Sequence, residues 1–116
     1  MFFTNLKEIT KNINFLIDKG LTKEEVMNVI RNDSFMLTTK NNRLDALDKI
    51  YIDELKLNKE ELKQLIIHNP DTYIESPIEI QKIIDYLKNK KSIEEIKIFI
   101  IHHPKIIDMT LEEFIE

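Results

Sequence analysis

There is no cysteine among the 116 residues, which excludes disulfides, thiolate catalysis and cysteine-ligated zinc. Glycine occurs once, proline three times and alanine once, at Ala46. A many-stranded sheet needs Gly, Pro or Asn turn chemistry at every reversal, so this scarcity argues against one. No apolar run approaches the roughly 18 residues of a membrane span. The opening MFFTNLKEITKNINF has neither the apolar core of a signal peptide nor the arginines of a transit peptide. These absences point to a cytoplasmic protein with no membrane partner. Excess positive charge is also missing: 17 basic residues face 21 acidic ones, for a net charge of −4, and residues 59–116 carry the whole imbalance. A strong nucleic-acid binder usually shows a basic domain or face, so a polyanion site in this chain has to be local.

What is present is helical grammar. Leu6, Ile9, Ile13, Leu16 and Ile17 recur at three- and four-residue spacing, the signature of one helix face. Gly20 follows where a helix end favours a left-handed residue. Thr22 and Glu25 then form a capping box ahead of Val26, Val29 and Ile30. After Asn32–Asp33 a short SFML segment leads to Thr39, a candidate cap for a helix with Leu44, Leu47, Ile50, Tyr51 and Leu55 inward. Asn58 with Glu61, Ser76 with Glu79, Ser92 with Glu95 and Thr110 with Glu113 open four more helices. Pro77 sits at the first helical position, where its missing N–H costs nothing. Pro70 and Pro104 act as helix stops.

The chain also repeats itself. EELKQLIIHNP (Glu60–Pro70) returns 34 residues later as EEIKIFIIHHP (Glu94–Pro104), and GLTKEEVMNVI matches KLNKEELKQLI at a shift of 36. Each copy reads as long helix, turn, ten-residue helix, break and short helical turn. The copies span about 5–38, 40–75 and 77–109, and a stub at 110–116 completes one domain, 1–116. A helix pair cannot bury its apolar stripe alone, so stacked copies must share a core. The expected fold is all-α: a short solenoid-like array of about three helix–turn–helix–short-helix units.

INFLIDKGLTKEEVMNVI, KLNKEELKQLIIHNPDTYIES and KSIEEIKIFIIHHPKIIDMT together resemble the repeats of the mitochondrial transcription termination factor (mTERF) family. The resemblance covers nearly the whole chain. It implies a curved array of triangular three-helix units, a concave basic groove holding double-stranded nucleic acid, and no enzyme activity. The reading that rests on charge instead is an acidic adaptor for a protein partner.

Lysines fall at the turns between paired helices: Lys19, Lys56, and Lys90 with Lys91. Lys56 and Lys90 stand one repeat period apart, so stacking would space their charges by about 10 Å, a row able to follow a phosphate backbone. Lysines at a helix end equally complement its dipole. Lys88, Lys90, Lys91, His102, His103 and Lys105 form the most basic local stretch. They complete the candidate nucleic-acid site, the alternative being a solvated face. His68 and His102 stand two residues before a proline, placed to satisfy groups freed at a helix end. The neighbours His102 and His103 cannot chelate from one helix face, and no metal or cofactor is expected. The paired Glu60–Glu61 and Glu94–Glu95 belong to first turns, where carboxylates complement the helix dipole. Tyr51, Tyr73 and Tyr86 fall on core or junction positions. No phosphate loop or nucleophile–base ordering is present, so no enzyme is expected.

Overall fold

The structure, a computed structural model, describes residues 6–115, and of Leu6 only the backbone. The expected inward place of Leu6, like residue 116 of the stub, lies outside the described side chains. Within these residues the chain forms seven α-helices and no strand. They are α1 (Leu6–Asp18), α2 (Lys23–Asn32), α3 (Asn41–Asp48), α4 (Lys59–His68), α5 (Pro77–Lys88), α6 (Ile93–His102) and α7 (Leu111–Ile115). Short 3₁₀ helices follow α2 at Ser34–Thr38 and α6 at Pro104–Asp108. A non-helical turn after α4 stands in the equivalent place.

The helices lie in two rows. α2 packs on α4 and α4 on α6, while α3 packs on α5 and α5 on α7. The molecule is accordingly long, 45 × 27 × 22 Å. Between the rows runs one apolar core that includes Leu16, Val26, Leu47, Leu65, Ile84 and Ile96. The capping boxes at Thr22/Glu25, Asn58/Glu61 and Ser92/Glu95 form with both reciprocal hydrogen bonds. The Thr110/Glu113 pair does the same ahead of α7. α4 and α6 end two residues before Pro70 and Pro104. Gly20 takes φ +98 in the turn between α1 and α2, a backbone conformation that any side chain would strain.

Two local expectations, at Thr39 and Ile17, are corrected, while the third helix buries Leu44, Leu47, Ile50, Tyr51 and Leu55 as expected but changes form along its length. Thr39 does not cap α3: Lys40 is the N-cap and gives no side-chain bond, while the Thr39 hydroxyl donates back to Phe35 O at 3.0 Å. The third helix continues past Asp48 as a π-helix over Lys49–Glu54. Two more residues lie between the N-caps Lys40 and Asn58 than between Ser76 and Ser92, and the wider π turn takes up the surplus. In α1, Ile17 is 39% exposed and Asn12 is buried instead, at 2%. The Asn12 amide donates to Met36 O, Leu37 O and Thr39 O at 2.9, 3.1 and 2.9 Å. It thereby satisfies the open carbonyl end of the first 3₁₀ helix, which an apolar residue would leave unpaired.

The repeated glutamates and lysines join successive copies. Lys63 on α4 lies 3.7 Å from Glu25 on α2, and Lys97 on α6 lies 3.5 Å from Glu61 on α4. In each case the acid is the capping-box glutamate of the preceding copy.

Candidate functional site

The turn lysines have different fates. Lys19 is drawn inward: its ammonium lies 2.9 Å from Asp48 and 4.7 Å from the centre of the Phe15 ring. Asp48 also accepts the Tyr73 hydroxyl at 2.6 Å, so Lys19 helps tie the first turn to the second copy. Burial, followed by the hydrogen bond to Asp48, holds the Tyr73 phenol well above its ordinary range. Tyr51, fully buried, donates to Thr72 O at 2.6 Å and meets Tyr73 edge-on.

Lys56 is exposed and occupies the place that Gly20 holds in the first copy. It does so with φ +59, a left-handed conformation that costs a side-chain-bearing residue about 1–2 kcal/mol. Lys90 is also exposed; its ammonium donates to the Tyr86 hydroxyl at 3.0 Å and lies 4.8 Å from that ring's centre. Lys91 reaches over Phe99 at 5.8 Å. Among the described residues Lys56, Lys90 and Lys91 form no ion pair. Lys88 forms one with Glu54, and that hydrogen bond raises its pKa.

The basic stretch at the third copy is divided by α6. Lys90 and Lys91 precede the helix, whereas His102, His103 and Lys105 stand at its far end, about 15 Å away along a ten-residue helix. Phe99 bridges part of that span, with its ring against Lys91 on one side and its centre 5.0 Å from the His103 ring. Lys105 is exposed on the second 3₁₀ helix.

The histidines do not perform the helix-end role expected of them. His68, His102 and His103 are all exposed, and none makes a side-chain hydrogen bond among the described residues. At the end of α4 the buried Asn69 serves instead. Its side-chain oxygen accepts from Asp71 N at 2.9 Å, and its amide donates to Pro104 O at 2.7 Å, in the next copy. His103 holds the corresponding place after α6, where its backbone N–H closes the helix.

A carboxylate cluster was not visible in the sequence pattern. Asp71, Glu75 and Asp108 bring oxygens within 4.8 Å of one another, and Asp33 stands close enough to Asp71 to act on its carboxyl. Asp33, followed by burial and the Asp108 charge, pushes Asp71 up to about 7. Burial, then the hydrogen bond and charge of Asp108, push Glu75 up to about 7. Three carboxylates are hard donors of the kind a divalent cation takes. They come from the breaks that follow α4 and α6, with Asp33 from the break after α2 beside them, and Asn69 already lies 3.4 Å from Asp108.

No helix among the described residues is long and apolar enough to cross a membrane. The family model described as mTERF matches residues 2–116. No curated protein matches the sequence.

Proposed function

This chain belongs to the mTERF family, and we propose that it is a non-catalytic module that holds double-stranded nucleic acid by its phosphates. The observation that carries the reading is the equivalence of Lys56 and Lys90. Each precedes the N-cap of a second helix by two residues, each is exposed, and neither forms an ion pair among the described residues. Lys91 adds a third open cation beside them. Lys19 and Lys88, paired with Asp48 and Glu54, are spent on holding the array together and contribute less. Lys105, His102 and His103 form the far side of the footprint. Cytoplasmic residence belongs to the same reading.

The test is a gel shift with duplex DNA and duplex RNA across a salt series. Replacing Lys56, Lys90 or Lys91 singly by Ala should weaken binding similarly for every sequence, because phosphate contacts position the ligand without reading bases. Each lost contact should flatten the log-affinity against log-salt slope by about 0.9 on duplex DNA. Absence of a shift at low salt would refute the reading.

A further inference from the structure

The two most exposed large apolar side chains among the described residues are Phe35, at 69%, and Ile78, at 68%. They line the same depression, of about 640 Å³, between the first 3₁₀ helix, α3 and the start of α5. A second depression of about 530 Å³ shares Ala46, Pro77 and Ile78 with the first, so the two form one groove along α3 and α5. Ala46, the chain's sole alanine, keeps the groove open where a longer side chain would fill it.

The charged lining of the first depression is cationic alone, whereas the second mixes Lys49 and Lys82 with Glu54 and Asp85. Lys40 and Arg43 line the first depression, and no carboxylate does. Lys40 forms no ion pair among the described residues. Arg43 uses one guanidinium nitrogen on Ile74 O, at 2.7 Å, which leaves its other donors available. In the second depression Glu54 is held by Gln81 and Lys88, and Asp85 is held by Gln81. A chain of net charge −4 thus presents, beside the exposed Phe35 and Ile78, a depression whose charged lining is wholly cationic.

We propose that this groove docks a protein segment carrying adjacent apolar side chains followed by carboxylates, an acidic amphipathic peptide. The apolar side chains cover Phe35 and Ile78, and the carboxylates meet Lys40 and Arg43. Nucleic acid fits less well: phosphates would answer the two cations but leave both apolar side chains in water, since aromatic stacking takes unstacked bases. Lys56, Lys90 and Lys91 do not line the groove, so the inference stands independently of the nucleic-acid reading.

The experiment uses the full chain and two fluorescent synthetic helical peptides. Both carry the same leucine pair, one with glutamate flanks and one with lysine flanks. Anisotropy should show the glutamate peptide binding about tenfold tighter or better, as charge complementarity requires. Phe35→Ser and Ile78→Ser should each weaken it by roughly fivefold or more, as apolar anchors do; both positions are exposed, and circular dichroism confirms that the variants fold. The double change Lys40→Glu with Arg43→Glu should exchange the preference between the peptides. Equal affinity for both peptides, binding of neither, or binding untouched by Phe35→Ser and Ile78→Ser would each overturn the proposal. So would duplex DNA that displaces the glutamate peptide and itself loses affinity in those two variants, because the groove would then belong to nucleic acid.

Discussion

One carboxylate oxygen of Glu61 accepts the Asn58 backbone amide at 2.9 Å, while its other oxygen lies 3.5 Å from the Lys97 ammonium of the next copy. The repeated glutamates and lysines are therefore more than first-turn dipole chemistry, since the residue that caps one helix also receives its neighbour. The pair is partly exposed, so screening limits its worth. A double-mutant cycle with Glu61→Gln and Lys97→Met should give a coupling of about 0.5 kcal/mol. Adding salt should shrink that coupling, and a coupling of zero at low salt would show that the contact is geometric only.

Asn12→Ala should cost about 1–3 kcal/mol, because one buried and two half-buried carbonyls lose their donor. Urea unfolding measures the loss. Asn12→Leu should be no better, since it adds apolar volume without supplying a donor. If either variant unfolds within about 0.5 kcal/mol of the parent, the carbonyls have found another partner.

Lys56→Gly should stabilise the protein by about 0.5–1 kcal/mol, after allowing for the extra freedom glycine gains when unfolded. Lys56→Ala keeps the Cβ and should leave the thermal midpoint nearly unchanged. Both should weaken duplex binding alike. A glycine variant no more stable than the alanine variant would show that the backbone at residue 56 carries no strain.

Acid should stabilise this protein before it harms it. Asp71 and Glu75 titrate near 7 when folded, against ordinary values of 3.8 and 4.5. Between those limits the folded chain binds more protons than the unfolded one. Their contribution is therefore complete below about pH 4 and lost as pH rises through about 7. The thermal midpoint should be higher at about pH 5 than at about pH 8, and Asp71→Asn should flatten the difference. Glu25 and Glu95 act in the opposite sense at lower pH: the backbone amides of Thr22 and Ser92 lower their pKa values, so their contribution fades as acid protonates them. A midpoint that rises from pH 5 to pH 8 would contradict the cluster's role.

The features legible in the sequence were those written within one helix. Caps at Thr22, Asn58, Ser92 and Thr110, stops at Pro70 and Pro104, and most of the core face depend on residues three or four apart. Features that cross from copy to copy were hidden. Asp33, Asp71 and Asp108 each follow a second helix, but nothing in their spacing shows that three breaks converge. Asn12 reads as an ordinary polar residue until the carbonyls of 36–39 are placed over it. The recurrent His68 draws the eye in the repeat, although the buried position is the next one along, Asn69. For Lys63 and Lys97 the repetition is plain, but their partners Glu25 and Glu61 lie one copy upstream, beyond the reach of any local spacing. The apolar groove could not be foreseen, because Phe35 and Ile78 are 43 residues apart and each alone is an unremarkable surface residue.

The double employment of Glu61 bears on how the molecule melts. A linear array can be treated as a one-dimensional lattice, with an intrinsic energy for each unit and a coupling to its nearest neighbour. A carboxylate that both starts its own helix and grips the following one moves free energy from the intrinsic term into the coupling. Loss of the second copy's helix start therefore loosens the third copy's grip as well. Fraying should enter from the ends, and an interior copy should not open while both its neighbours remain closed.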